Sequence, residues 1–400
     1  MSKSKKQKRE EFREPIKKII AARAGYRCNF PGCHKTLIGP GYKNDEFITI
    51  GEYSHIFSAV KNGPRTDGGL SPAELARPEN GIYLCRVHHQ IVDTKSQDNK
   101  YTSDLLTLYK NRHEFQISGE LGEYLYPLNW INKFKIDGTF FGQELMLNLG
   151  KVTFIYGSNG TGKSALVEIF HSIFTENVHS RWSKPNIYFD TEIGLDNPTL
   201  SNFKVNIRGE ELIYIVKEKE QPFVPFPFEV FKLNENVKTR KDDVGYIIET
   251  IGISRDSFFN FLKTTSLQYG LFTNEISVSS IRTSPYVVDK IHVTLKDGFK
   301  RPFGALSGTE KSRVILDILI SYVTELSKYK SVLLLIDWSK TLSFSDGSLK
   351  PYLEFLQSSV AHFQTLFVSH RQRPDLDWTG WVIAKLSRVN KTTKVSQTER

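Results

Sequence analysis

The apolar residues of this chain change their spacing several times, and each change marks an element. Residues 13–24 read as a short helix stopped by Gly25, and residues 101–115 return to helical character. Between them residues 47–50 form a short β-like run. Residues 131–136 and 144–149 read as strands around the turn Gly138-Thr139-Phe140-Phe141-Gly142. Residues 152–156 are apolar and β-prone and end abruptly at Gly157, after which Ala165, Leu166, Ile169 and Phe170 recur at helical spacing. Residues 203–207 and 212–216 alternate like an antiparallel pair. Residues 331–337 read as a buried strand and 360–369 as another strand, with a helix at 311–328 ahead of them. Strand, loop and helix followed by late strands with helices between them predict an α/β domain with a mixed, mainly parallel sheet. The stretch 177–302 reads as irregular and strand-leaning, and its aromatic turn from Pro222 to Phe228 reads as packing. It carries no sustained heptads and is too short for long coiled-coil arms.

Length and charge sharpen this picture. At 400 residues the chain exceeds the size at which single cores stop growing, so two domains are expected, 1–125 and 126–400. The net charge is +10, with basic residues massed at the start (Lys3, Lys5, Lys6, Lys8, Arg9) and near the end (Lys385, Arg388, Lys391, Lys394, Arg400). Such an excess favours a polyanionic partner. No apolar run reaches membrane-spanning length and the lysine-rich start is no signal peptide, so a soluble, cytoplasmic protein is expected.

Two constellations carry chemistry. The first, Gly157-Ser158-Asn159-Gly160-Thr161-Gly162-Lys163-Ser164, fits the phosphate-loop pattern at every fixed position and lies between strand and helix. Gly157, Asn159, Gly160 and Gly162 belong to a turn whose amides converge on phosphate, and Gly162 opens the helix N-terminus. Lys163 would reach the β- and γ-phosphates, and the Ser164 hydroxyl would ligate Mg²⁺. The pattern implies a bound nucleoside triphosphate. The second uses all three cysteines. Cys28 and Cys33 flank a Pro-Gly turn, and Cys85 precedes His88 by three residues. Two such pairs suit a closed tetrahedral Zn²⁺ site with ligands Cys28, Cys33, Cys85 and His88, with His34 a competitor for the fourth place.

Around the second cysteine pair the chain resembles the HNH (ββα-metal) endonucleases. The resemblance is carried by Gly51-Glu52-Tyr53-Ser54-His55-Ile56, Gly63-Pro64-Arg65, Asn80-Gly81-Ile82-Tyr83-Leu84-Cys85 and His88-His89-Gln90-Ile91-Val92-Asp93, across about 20–118. It implies a small zinc-stapled ββα-metal domain in which His55 is the general base that activates water. His89 would hold a divalent cation, Mg²⁺, and Asn80 would hold the loop and orient His55 through its carboxamide. The family often places Asp directly before the base histidine. Here that position is Ser54, and Glu52 is the nearest carboxylate substitute. Arg65 and Arg86 are candidate phosphate contacts.

The second region resembles the ABC-type ATPases. Leu306-Ser307-Gly308-Thr309-Glu310 is similar to their signature, with Thr309 for the second glycine. Asp337 ends the Walker B-like strand, His370 matches the switch histidine, and Gln268 stands for the Q-loop glutamine. The resemblance implies ATP and Mg²⁺, with ATP sandwiched between the phosphate loop of one subunit and Ser307-Gly308 of another, hence a homodimer or higher oligomer. It departs where the family has a catalytic glutamate, since Trp338 follows Asp337, so slow hydrolysis and a binding-driven switch are expected. The pairing of the two regions resembles bacterial anti-phage systems of the Septu kind. It implies an ATP-regulated nuclease acting on nucleic acid, DNA ahead of RNA. A nucleic-acid-binding ATPase with a non-catalytic zinc module, and a repair or recombination nuclease, are the alternatives.

Overall fold

The computed structural model of the chain describes residues 11–33, 35–59, 65–94, 100–122, 130–196, 201–221, 223–226, 228–233, 237, 242–264, 267–283, 286–328, 330–337, 346–370, 372 and 377–399. His34, Gly63, Pro64 and Trp338 lie outside these residues. By contacts the chain forms two units. One is Met1–Leu128 with Asn197–Phe203 and Tyr214–Pro227, and the other is Asn129–Asp196, Lys204–Ile213 and Phe228–Arg400.

The first unit runs α1 (Glu14–Arg23), β1 (Ile38–Pro40), β2 (Phe47–Thr49), β3 (Gly51–His55), α2 (Pro72–Leu75), β4 (Gly81–Cys85), α3 (Arg86–Asp93) and α4 (Ser103–Gly122). Strands β3 and β4 pair antiparallel with Gly51 opposite Cys85 and His55 opposite Gly81. Gly25, with φ of 55°, turns the chain out of α1 as its sequence position predicts. Gly81 is required by close approach, because a Cβ there would lie 2.2 Å from Ile20 Cδ1 of α1. The hairpin β3–β4 followed directly by α3 is a ββα unit, and β4 is buried along its whole length.

The second unit begins with β5 (Ile131–Gly138), β6 (Leu145–Asn148), β7 (Val152–Tyr156), α5 (Lys163–Thr175), β8 (Tyr188–Leu195) and β9 (Ser201–Arg208). The chain passes through β10 (Glu211–Val216) and β11 (Lys219–Gln221), whose residues from Tyr214 on belong to the first unit, and the second unit resumes with β12 (Glu229–Lys232), α6 (Asp243–Ile251), α7 (Arg255–Thr264), β13 (Thr273–Thr283), β14 (Tyr286–Leu295) and β15 (Lys300–Pro302). It ends with α8 (Gly308–Ser327), β16 (Val332–Asp337), α9 (Asp346–Gln357), β17 (Gln364–Ser369), β18 (Val382–Val389) and β19 (Thr392–Glu399). The central sheet has the order β12-β16-β17-β7-β18-β19. Its first five strands are parallel and β19 closes the edge antiparallel. Strands β16 and β17 are buried at every position, as expected where both faces of a parallel sheet are covered. A second sheet contains β9, β8, β5 and β6 in that order, and β13–β15 form a third. The α/β architecture with a largely parallel core sheet is therefore present, and two further sheets accompany it.

The stretch 177–302 departs from the irregular, strand-leaning expectation by holding α6 and α7. Val244, Ile247 and Ile251 of α6 are buried at helical spacing, and Gly252 (φ 75°) stops it, so the sequence did carry this helix. The same stretch holds the long β13–β14 hairpin, and no coiled-coil arm occurs among the described residues. Among them, too, no helix is long and apolar enough to cross a membrane.

Candidate functional site

In the second unit the parallel order β16-β17-β7 brings three strand ends to one edge. Tyr156 pairs with Ser369, and Val368 with Asp337, so the chain leaves β7, β16 and β17 at Gly157, Asp337 and His370 side by side. Gly157 passes so close to β18 that a Cβ would meet Leu386 O at 2.3 Å. Gly160 (φ 79°) and Gly162 (φ 102°) occupy the left-handed region, which lets the loop curl into the start of α5. Lys163 Nζ folds back along this loop, donating to Gly157 O at 2.6 Å and Ser158 O at 2.7 Å. Ser164 Oγ lies 3.4 Å from Asp337 Oδ2, a hydroxyl and a carboxylate side by side at a helix N-terminus. That pair suits Mg²⁺, which takes few protein oxygens and keeps waters and phosphate oxygens for the rest. Asn159 is on the exposed crown of the loop, and His370 and Gln268 are exposed. Ser307 caps α8. Its Oγ accepts from Glu310 N, and Glu310 Oε2 accepts from Ser307 N at 2.8 Å, leaving Ser307 and Gly308 on the surface.

In the first unit, Cys28, Cys33, Cys85 and His88 converge with all ligand atoms within 4.8 Å of one another. His88 Nδ1 is 3.2 Å from Cys85 Sγ and 3.5 Å from Cys28 Sγ. Thiolates bound at about 2.3 Å in a tetrahedron lie about 3.7 Å apart, so four such groups fit one Zn²⁺. The His88 ring is held flat against Phe30, with centroids 3.9 Å apart and planes 2° apart. Burial pushes the Cys28 and Cys33 thiols up and the His88 imidazole down. Burial thus favours neutral thiols and a neutral imidazole, and a central cation would draw the thiols to thiolates and keep the imidazole neutral.

The same hairpin and helix carry the remaining candidates. His55 ends β3 opposite Gly81, and Ile56 N donates to Asn80 O at 2.8 Å. The Asn80 carboxamide brackets Phe57, accepting from Phe57 N at 2.7 Å and donating to Phe57 O at 3.0 Å and Leu75 O at 2.9 Å. These bonds run to the backbone of Phe57 and Leu75, on the chain leaving β3 beyond His55. His55 is only 7% exposed, and its ring stacks on Phe12 with centroids 4.0 Å apart and planes 8° apart. Glu52 is exposed, opposite Leu84.

Two residues take parts that sequence reasoning did not assign. Asp93 Oδ1 accepts from Ser54 Oγ at 2.9 Å, while its Oδ2 lies 3.4 Å from His89 Nε2. The signal was present, since His89 and Asp93 are four residues apart on a helix and share a face. Arg65, expected at phosphate, is instead a buried strut. Its guanidinium donates to Ile56 O, His55 O, Val92 O and Asp93 Oδ1, tying β3 and its exit to α3. A fork consumed by backbone carbonyls and a carboxylate has little left for a ligand.

No protein-family model matches the chain, and no curated protein matches it. Among solved structures the chain is similar to an SMC head bound to the C-terminal winged-helix domain of ScpA, at 14% identity and a TM-score of 0.48, covering 68% of this chain and 98% of that one. It is similar to the SMC head domain from Thermotoga maritima at 15% identity and a TM-score of 0.42, covering 68% of this chain and 99% of that one. A structure of the recombination mediator RecF with an ATP analogue gives 14% identity and a TM-score of 0.44, covering 66% of this chain and 98% of that one.

Proposed function

We propose that this chain is an ATP-binding, ABC-type ATPase that regulates a zinc-braced, metal-dependent HNH endonuclease on the same polypeptide. The observation that carries the reading is the ββα unit: four zinc-type ligands converge at its base, and His55, Asn80, His89 and Asp93 sit on its hairpin, loop and helix. A divalent cation would be held by His89 Nε2 and Asp93 Oδ2, so Asp93 replaces Glu52 as the carboxylate of the site. Their separation of 3.4 Å suits adjacent ligands on one Mg²⁺, which with bonds of about 2.1 Å lie about 3 Å apart. The cation would polarise a phosphodiester while His55 takes a proton from the attacking water. The substrate is nucleic acid, DNA ahead of RNA, in keeping with the net charge of +10. Binding of ATP at Lys163, Ser164 and Asp337, closed by Ser307 and Gly308 of a second copy, would set access to the cutter. The setting is bacterial anti-phage defence, which a plating assay with and without the His55→Ala substitution tests directly.

The cutter has two expected outcomes in a Mg²⁺-dependent cleavage assay with purified full-length chain. His55→Ala lowers the cleavage rate by about 10²–10⁴-fold, the usual worth of a positioned general base. Asp93→Ala raises the Mg²⁺ concentration needed for half-maximal rate by about 10–100-fold, whereas Glu52→Ala leaves it unchanged. If Glu52→Ala produced the larger shift, the cation would belong on the other side of Ser54.

A second reading is favoured by one observation, the burial of His55 under Phe12. A base that meets a phosphodiester must be reachable, so Phe12 has to leave His55 before cleavage. Phe12→Ala is expected to raise both cleavage and the modification of His55 by diethyl pyrocarbonate, read by peptide mass mapping. A wild-type His55 that stays protected in the presence of oligonucleotide and Mg²⁺ would favour a nucleic-acid-binding ATPase with a non-catalytic zinc module.

A further inference from the structure

Strand β18 runs parallel to β7, with Lys385 opposite Tyr156, and continues past the point where β7 gives way to the phosphate loop. Two residues beyond the close pass at Leu386, Arg388 lies over the loop. Its Nη1 donates to Gly160 O at 3.0 Å and its Nη2 to Phe140 O at 3.3 Å. The guanidinium also covers the Phe140 ring, 4.5 Å from its centroid. Phe140 in turn abuts the loop from below, since a Cβ on Gly162 would lie 3.1 Å from Phe140 Cε1. The hairpin presenting Arg388 is well braced. Asn390 and Lys391, both at positive φ, turn it tightly, and Thr393 N donates to Phe141 O at 2.8 Å. Among the described residues no carboxylate lies within ion-pair distance of Arg388.

We propose that Arg388 is a positioning residue of the nucleotide site, holding the Gly160 carbonyl outward so that the amide of the same peptide plane points into the phosphate cradle. The peptide unit is planar and trans, so fixing a C=O on one side fixes the following N–H, that of Thr161, on the other. An anion-binding nest works when its amides are aimed before the ligand arrives, because orienting them costs nothing at binding. A charge-assisted bond from a braced strand does this, and the guanidinium adds positive potential beside the site. The inference rests on the reading of residues 157–164 as a nucleotide site.

The test is titration of the full chain with fluorescent ATP and ADP analogues, for wild type and for Arg388→Ala, Arg388→Gln and Arg388→Lys, with melting curves of the nucleotide-free proteins. Loss of one hydrogen bond to a charged group predicts ATP and ADP affinities lowered together by about tenfold in Arg388→Ala and Arg388→Gln. Melting temperature should stay near that of wild type, and Arg388→Lys should recover only part, since one ammonium cannot serve Gly160 O and Phe140 O in the fork geometry. Unchanged affinity in Arg388→Ala overturns the proposal. So does full recovery by Arg388→Lys, which would leave only charge, and so does a loss confined to ATP, which would mean direct γ-phosphate contact. A wild-type chain that binds neither nucleotide, or binds equally well as Lys163→Ala, would instead sink the nucleotide-site reading underneath.

Discussion

Lys163→Ala is expected to weaken ATP binding about a hundredfold, the largest single effect of any substitution in the second unit. The side chain is buried at the start of α5, with its ammonium between the loop carbonyls of Gly157 and Ser158. A triphosphate in the cradle would draw that ammonium onto its β- and γ-oxygens. Charge-assisted hydrogen bonds are each worth about 1.5–3 kcal/mol, and two of them lost together at the lower end of that range correspond to about a hundredfold. The neighbouring Ser164→Ala should act differently, sparing binding without Mg²⁺ and removing most of the gain that Mg²⁺ brings, because Ser164 Oγ sits beside Asp337 Oδ2. Calorimetric titration with and without the cation separates the two. Intact binding by Lys163→Ala would remove the phosphate-loop assignment.

Removing zinc is expected to unfold the first unit and leave the second folded. The four ligands come from a turn at Cys28–Cys33 and from the junction of β4 with α3, so the cluster staples segments more than fifty residues apart. Cys28 also accepts from Cys85 N at 3.3 Å, which builds the junction into the same staple. Structural zinc contributes about 10–16 kcal/mol in small zinc peptides, against a total stability of about 5–15 kcal/mol for a typical domain. Stripping the metal, or making Cys85→Ser, therefore exceeds what the remaining core can supply. Elemental analysis should find one zinc per chain, and scanning calorimetry should show one of two transitions disappear on stripping. A metal-free first unit that still melts cooperatively near its original temperature would contradict the staple.

Short motifs were legible because their chemistry is local. Gly160 and Gly162 need positive φ whatever surrounds them, and that need is met within eight contiguous residues. The burial of β16 follows from its nearly unbroken apolar run, VLLLID. The two cysteine pairs showed knuckle spacing in each half, and the structure brings the halves together. Helix α6 is equally local, with Val244, Ile247 and Ile251 at helical spacing before Gly252, but Gly245 inside the run weakens its helical signal.

From its sequence alone the protein was determined to be a two-part chain with a phosphate loop, a Cys₃His ligand set and a hairpin–helix bearing two histidines and an asparagine. Tertiary structure decided what each polar group touches: Asp93 and not Glu52 beside Ser54 and His89, Arg65 as a buried strut, Phe12 over His55, and Arg388 on the phosphate loop. The division follows from range. Backbone conformation and ligand pairs depend on neighbours a few residues away, whereas the partner of a charge or a ring is chosen by packing between segments that, for Arg388, lie 228 and 248 residues away.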